Sequence, residues 1–434
     1  MRKKTILGLG LPLLAIAVAA GGLLYRANDA ARDRVADDRL KTADAAPPDA
    51  AAIQRGAYVA ATADCAACHT APGSAQAFAG GYPLKTPFGV LISSNITPDR
   101  ETGIGDWTER DFFRAVRHGQ SPHGPLYAAM PYNAYVKLTD QDMHDLWAYM
   151  RSQAPVHNHI VSNQLPFPFN IRLLNLGWNL LFFDNHPFQP KGEQSAEWNR
   201  GAYLVDGPGH CAACHTAKNP LGGDSSAYLQ GGPLQGWYAP EIANNPHVGL
   251  GAWTVPEIAQ YLKTGSNGRA VASGPMAEAV ENSTQHLTDA DLVAIATYLR
   301  TVPGSNTQAP GPLAADDARM RRGAQVYAVN CSACHEGRGQ GVADMVTGFA
   351  GNPAVQSANP DSLVQTLLKG GRGAVTEANP TGAGMPAFGW KLNDADAAAV
   401  LTFIRNSWGN AAAPVTADQV AATRAALGAP AVVK

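Results

Sequence analysis

Apolar residues recur with a helical period in three stretches of the chain, and each stretch begins with almost the same polar residues. In the second, Leu292, Ile295 and Leu299 fall on one face of a helix. A Thr or Asn followed by acids is a typical helix start, because its side-chain oxygen accepts from the first turn and acids favour that end. The pattern predicts three helices of one kind: LTDQDMHDLWAYMRS from Leu138, LTDADLVAIATYLRT from Leu287 and LNDADAAAVLTFIRN from Leu392.

Two further helical patterns precede each of these closing helices, so that one unit is repeated three times. The opening helices are RGAYVAATAD from Arg55, RGAYLVDGPG from Arg200 and RGAQVYAVN from Arg322. The middle helices are WTERDFFRAVRHG from Trp107, WTVPEIAQYLKTG from Trp253 and a weaker copy, NPDSLVQTLLKGG from Asn359. No β-hairpin pattern is strong enough to compete. The fold class predicted is mainly α, with long loops and many turns, which the 44 Gly and 31 Pro favour.

The repeats and the linker composition between them divide the 434 residues. We predict a signal peptide or membrane anchor over 1–25, a tether over 26–52, domain 1 over 53–152, an inter-domain segment over 153–197, domain 2 over 198–302, a linker over 303–315, domain 3 over 316–410 and a C-terminal tail over 411–434.

The N-terminus has the pattern of an export element. Arg2, Lys3 and Lys4 precede an uncharged run of twenty residues, Thr5 to Leu24. As a helix this run would be about 30 Å long, the thickness of a bilayer's hydrocarbon core. A cleaved signal peptide and an uncleaved anchor both remain open, and both place the rest of the chain outside the cytoplasm.

A second apolar segment lies between domains 1 and 2. It is LPFPFNIRLLNLGWNLLFF, from Leu165 to Phe183, and two prolines and Arg172 interrupt it. It is too interrupted for a spanning helix. Two interpretations stay open: packing between domains, or a contact patch for a partner or a lipid surface.

Charge and composition exclude some functions. The formal net charge is -2, which gives no case for nucleic-acid binding. The sequence has no Gly-rich dinucleotide fingerprint, no P-loop and no nucleophile–base set, so we expect no catalytic residue of its own.

All six cysteines lie in three C-x-x-C-H motifs. Three pairs cannot be shared evenly among four-ligand zinc sites, and a redox dithiol does not require a histidine in every copy. C-x-x-C-H is the attachment signal for c-type haem, in which the thiols bind the porphyrin covalently and the histidine ligates the iron. The sequence predicts three haem c groups, attached through Cys65, Cys68, Cys211, Cys214, Cys331 and Cys334, with His69, His215 and His335 as proximal ligands.

Three methionines are candidates for the opposite axial position. Met130 and Met276 both stand 61 residues after their histidine (130 − 69 and 276 − 215), and Met385 stands 50 after His335 (385 − 335). Each lies in a Pro-containing loop before the closing helix. Met345 is the rival in the third unit. Because Met/His ligation raises the potential and fills the iron's coordination sphere, this ligand set favours electron transfer over haem catalysis.

The chain resembles the three-haem cytochrome c subunits of bacterial membrane-bound dehydrogenases of the alcohol, gluconate, sorbitol and aldehyde type. The stretches that carry the resemblance include TPFGVLISSNITPDRETGIGDWTERDF, LYAAMPYNAYVKLTDQD, GWYAPEIANN and GPMAEAVENSTQHLTDADL. The third unit resembles a class I cytochrome c domain. In this family Met130, Met276 and Met385 fall on the distal methionine positions.

The resemblance also implies partners and a location. A family member takes electrons from a dehydrogenase catalytic subunit, whose cofactor is a flavin, pyrroloquinoline quinone or molybdenum in different members. It passes them to ubiquinone in the respiratory chain. The expected location is the periplasmic side of the bacterial inner membrane, in contact with the cytoplasmic membrane.

Overall fold

The computed structural model describes residues 49–428. The predicted export element and most of the predicted tether therefore lie outside the described residues. Within 49–428, no helix has the length and hydropathy needed to cross a bilayer.

The chain divides into two compact units. Unit 1 comprises the described part of Met1–Ala60 together with Cys68–Gln189, and unit 2 comprises Ala61–Ala67 and Pro190–Lys434 as far as residue 428. Unit 2 thus contains both the second and the third C-x-x-C-H motifs.

Up to residue 189 the elements are mainly helices. In chain order they are α1 (Ala50–Thr62), α2 (Cys65–His69), β1 (Pro83–Thr86), β2 (Gly89–Ile92), α3 (Glu109–His118), β3 (Gln120–Ser121), β4 (Gly124–Pro125), α4 (Tyr132–Tyr135), α5 (Asp140–Ser152) and α6 (Leu174–Phe182).

From residue 190 the opening, motif, middle and closing helices occur twice in the same order, but the two-stranded sheet precedes the middle helix in the second repeat and follows it in the third. The second repeat comprises α7 (Ala196–Asp206), α8 (Ala212–His215), β5 (Gly232–Leu234), β6 (Trp237–Ala239), α9 (Val255–Thr264), α10 (Pro275–Asn282), a 3₁₀ turn (Thr284–His286) and α11 (Asp289–Leu299). The third comprises α12 (Ala318–Asn330), α13 (Ser332–His335), α14 (Pro353–Gln356), α15 (Asp361–Lys369), β7 (Gly371–Arg372), β8 (Gly384–Met385), α16 (Asp394–Arg405) and α17 (Ala417–Leu427).

The closing helices α5, α11 and α16 begin as their sequences predict. The side chains of Thr139, Thr288 and Asn393 each accept a hydrogen bond from the backbone N–H three residues on. The weak third copy of the middle helix is also confirmed, as α15.

Opening and closing helices cross at a glycine in all three repeats. A Cβ added at Gly56, Gly201 or Gly323 would lie 1.8, 1.9 or 2.3 Å from a backbone oxygen of the closing helix. The crossings therefore bring backbone against backbone, which only glycine permits.

The arginine before each of these glycines pairs with an acid on the closing helix. The pairs are bidentate, with N–O distances of 2.7–3.0 Å: Arg55–Asp145, Arg200–Asp291 and Arg322–Asp396. Bidentate pairing fixes the rotation of one helix against the other as well as their separation.

The expectation that no hairpin would compete with helix is wrong for several short segments. Residues 49–428 contain four two-stranded antiparallel sheets, β1–β2, β3–β4, β5–β6 and β7–β8. In β5–β6 the turn residues Gln235 and Gly236 have φ of 49° and 84°, the positive values of a two-residue hairpin turn. Gln-Gly lacks the Asn or Asp that usually marks such a turn, so the sequence pattern did not reveal it.

The apolar segment between domains 1 and 2 is mostly on the surface. Of the large hydrophobic residues exposed within 49–428, eight lie in residues 161–181, each 41–79% exposed: Val161, Phe167, Phe169, Ile171, Leu173, Leu174, Leu180 and Leu181. In α6 only Asn179 is buried. The interpretation of this segment as inter-domain core is wrong for these side chains.

Candidate haem-binding sites

Each C-x-x-C-H motif forms a short helix directly after an opening helix. The motif helices are α2, α8 and α13. None of the six cysteines forms a disulfide. The opening helix therefore delivers two thiols and an imidazole to one small surface, the arrangement that covalent haem attachment requires.

The three histidines are oriented in the same way. Their Nδ1 atoms donate to backbone oxygens: His69 to Ser94 at 2.7 Å, His215 to Pro240 at 2.7 Å and His335 to Thr347 at 3.2 Å. With Nδ1 as the donor, Nε2 keeps its lone pair for a metal, as metal-bound histidines generally require.

Partial burial of the rings supports the same use. Desolvation lowers the pKa of His69, His215 and His335, and it outweighs the opposite effect of the carbonyl that each ring faces. A neutral imidazole is the form that ligates iron. The thiols, the free Nε2 atoms and the neutral rings together fit a haem c at each motif.

In the first two repeats the proximal loop has the same frame. The backbone oxygens of His69 and His215 accept from Gly80 N at 2.7 Å and Gly231 N at 2.8 Å. Both glycines have positive φ, 74° and 90°. A short hairpin follows each, and the chain then reaches the carbonyl that accepts from Nδ1.

Two buried asparagines that the sequence reasoning missed hold these loops. Asn95 donates to Val156 O at 2.7 Å, and Asn245 donates to Ser305 O and Thr307 O at 2.9 Å each. The Oδ1 of each also accepts the backbone N–H two residues on. The repeated GIGDWT and GLGAWT that follow them were the signal in the sequence.

The candidate distal methionines occupy matching places in the first two repeats. In the first repeat, the oxygen of Gly119 at the end of the middle helix accepts from Leu126 N at 2.7 Å. In the second repeat, the oxygen of Gly265 accepts from Ala272 N at the same distance. The methionine stands four residues after that donor in both cases. Gly119 and Gly265 each stand 50 residues after the motif histidine (119 − 69 and 265 − 215), so the shared turn completes the equal spacing of 61 residues.

In the third repeat Met385 lies on β8, paired with Gly371, and packs against the core of its own domain. The rival Met345 is 56% exposed. Burial therefore favours Met385 as the distal candidate. Met143 and Met150 are fully buried in α5 and serve as core residues.

Residues of the third repeat support the proximal loop of the second. The Ser362 hydroxyl accepts from Tyr238 N at 2.8 Å and donates to Tyr238 O at 3.0 Å. The Gln365 amide, oriented to satisfy its neighbours, accepts from Trp237 Nε1 at 2.7 Å. Both contacts fix strand β6, which leads to the Pro240 carbonyl that orients His215.

The third repeat also contacts the segments around Met276, the candidate distal ligand of the second site. Ala374 N donates to Ala272 O at 3.1 Å, and Val375 N donates to Glu281 Oε1 at 2.6 Å. Ala374 joins a small apolar cluster against which Met276 packs. The second and third sites are thus parts of one packed body.

These observations define a multi-site c-type cytochrome, and comparison with known proteins agrees. The family model described as "Cytochrome c" matches residues 199–303 and 320–408, and "Cytochrome C oxidase, cbb3-type, subunit III" matches 51–150. The three matched segments correspond to the three repeats.

Relatives cover most of the chain. It is 40% identical to the gluconate 2-dehydrogenase cytochrome c subunit of Pantoea cypripedii, over 86% of this chain and 90% of that protein. It is 40% identical to the fructose dehydrogenase cytochrome subunit of Gluconobacter japonicus, over 86% and 82%. It is also 40% identical to the alcohol dehydrogenase (quinone) cytochrome c subunit of Gluconacetobacter polyoxogenes, over 88% and 86%. The chain belongs to the family of cytochrome c subunits of bacterial dehydrogenases.

Proposed function

We propose that this chain carries three covalent haem c groups and relays electrons from a dehydrogenase catalytic subunit to ubiquinone at the periplasmic face of the inner membrane. Membership of the family already makes it an electron-transfer protein of a dehydrogenase complex. The haem count, the acceptor and the location are the proposed parts.

One observation carries the haem count. All three motifs follow an opening helix, and all three histidines donate from Nδ1 to a backbone carbonyl. When bound, haem c supplies one-electron oxidation and reduction. The chain's own residues attach it through the six cysteines and present Nε2 of His69, His215 and His335 to the iron.

The distal ligands proposed are Met130, Met276 and Met385. Support comes from the shared turn in the first two repeats and from the packing of Met385. A thioether in that position favours the reduced iron and leaves no open coordination site. Such a site passes electrons on without binding a substrate.

The exposed segment around α6 supports contact with the membrane. Residues 160–183 include Arg172 but no acidic residue. Apolar side chains beside a cationic group suit the interface of an anionic lipid bilayer. We place this face of unit 1 against the lipid, where a quinone would also be found.

The relatives differ in the substrate of the complex, so the catalytic partner is proposed only as a flavin, quinone-cofactor or molybdenum dehydrogenase. The test is purification of the tagged chain from membranes of its own host. A co-purifying dehydrogenase that reduces this chain with its substrate, and a complex that reduces ubiquinone, are expected. A chain isolated alone and reduced by no dehydrogenase of the host would overturn the relay.

A further inference from the structure

A cluster of metal-binding side chains lies in unit 1, outside the haem motifs. Among the described residues, Glu101, His157 and His159 form the one such group whose donor atoms all lie within 4.8 Å of one another. Glu101 is 4.0 Å from His157 Nδ1 and 3.8 Å from His159 Nε2. Asp99 adds a fourth donor, 3.6 Å from His157 Nδ1.

We propose that these residues form a binding site for a divalent transition-metal ion, with Zn²⁺ as its representative. This site goes beyond the proposed electron relay and does not depend on it. Two imidazoles with carboxylates are donors that suit zinc, copper(II) and nickel, whereas magnesium and calcium prefer oxygen alone. Zinc bonds of about 2.0–2.2 Å place neighbouring donors about 3.3–3.6 Å apart. The observed separations need only small side-chain rotations to reach that range.

The backbone that carries the donors is already fixed. Asn158, between the two histidines, donates its N–H to Thr102 Oγ1 at 3.0 Å and its amide to Ala79 O at 2.8 Å. Asn95 ties Thr102 to Val156 O from the buried side. The two ligand-bearing segments are therefore held together without a metal. Asp99 Oδ1 is itself fixed by Thr102, whose N–H and hydroxyl donate to it at 2.7 Å, so closure of the site would come from rotation of Glu101, His157 and His159.

The donor side chains also face solvent. The side chains of His157, His159 and Glu101 are 53%, 72% and 72% exposed. An ion could enter from bulk water and exchange with it. When bound, it would join the 99–102 turn to the 157–159 segment; Thr102 of that turn accepts from Asn95, the residue after Ser94.

The test is calorimetric titration of Zn²⁺ into the full-length, haem-loaded protein after treatment with EDTA. The wild type is expected to bind one ion at this site, and His157→Ala/His159→Ala to lose it, with affinity falling at least about tenfold. Asn158→Ala should weaken binding by about tenfold, because it loosens the frame behind the ligands. Zinc-edge X-ray absorption should show two imidazoles in the wild type, without interference from haem iron.

His186→Ala is the matched control. This exposed histidine also faces a carboxylate, Asp184, but within residues 49–428 no second imidazole joins the pair. Its removal should leave zinc affinity unchanged. Binding equal in the wild type and His157→Ala/His159→Ala, or a zinc spectrum without imidazole, would overturn the proposal.

Discussion

The first and second candidate haem-binding sites share one frame but differ in what surrounds them. Both have the same proximal loop, buried asparagine and histidine–methionine spacing. Around the second, Ser362, Gln365 and Ala374 of the third repeat bind both sides of the site. For the first, Cys68, His69 and Met130 lie in unit 1, which carries the exposed apolar segment.

That apolar segment is attached close to the candidate distal ligand of the first site. The Tyr132 hydroxyl donates to Asn179 Oδ1 of α6 at 2.6 Å, and Tyr132 is two residues after Met130. The Tyr132 ring also packs edge-on against Phe183 at 5.3 Å. The same frame thus serves an enclosed site in one repeat and a site tied to an outward apolar face in the other.

We expect the largest effect at the glycine where the opening and closing helices of a repeat cross. Gly201→Val should destabilise unit 2 by about 3 kcal/mol or more, because a side chain there meets the Ala294 carbonyl. Denaturant unfolding of the haem-loaded protein measures it. Gly177→Ala is the control: this helical glycine has nothing within 4 Å of an added Cβ, so stability should stay the same or rise slightly. If Gly201→Val and Gly177→Ala were equally stable, the claim that the two helix backbones are in contact at Gly201 would be contradicted.

We expect the second-largest effect from removal of a candidate distal ligand. Met276→Ala should leave the haem attached, since attachment depends on Cys211 and Cys214. Loss of the thioether should lower the potential of that haem by on the order of 100 mV, a fraction of the range that axial ligands span. Redox titration with optical spectra measures it, and Met345→Ala is the control. Unchanged potentials and spin state in Met276→Ala would exclude Met276 as a ligand.

The apolar segment should affect membrane attachment and not haem content. Leu180→Ser/Leu181→Ser should weaken binding to anionic vesicles by about tenfold or more, because two exposed leucines lose their apolar contact. Vesicle flotation measures it. Leu221→Ser, an equally exposed leucine outside the segment, should have no effect. If both variants bind vesicles as the wild type does, this face does not contact lipid.

We expect the smallest effect from a variant that distinguishes the second site, which the third repeat supports, from the first. Ser362→Ala removes two hydrogen bonds to Tyr238, worth about 1 kcal/mol each. It should shift only the potential of the second haem, by less than about 60 mV, a tenfold change for one electron. Ser152→Ala in unit 1 is the control. A shift in the first haem instead would show that the third repeat does not brace the second site.

Much of this site was predictable from the sequence, because haem attachment requires C-x-x-C-H and helix caps use local signals. The caps at Thr139, Thr288 and Asn393 are confirmed by the structure. The hairpins were not predicted, since their strands are two to four residues long and lack the usual turn residues.

The contacts between repeats could not be predicted either. Ser362 and Tyr238 are 124 residues apart, and neither residue type marks a contact on its own. The exposure of residues 161–181 likewise depends on what the rest of the fold leaves uncovered. An apolar run in the sequence is equally consistent with a core and a surface.

The central claim is that every cysteine in the chain serves a haem. The most direct measurement is the haem c content per polypeptide, by pyridine haemochrome absorbance and the mass of the intact mature chain. The account predicts three covalent haems per chain. Two or fewer in fully matured protein would contradict it, because at least one of the three matched motifs would then have another use.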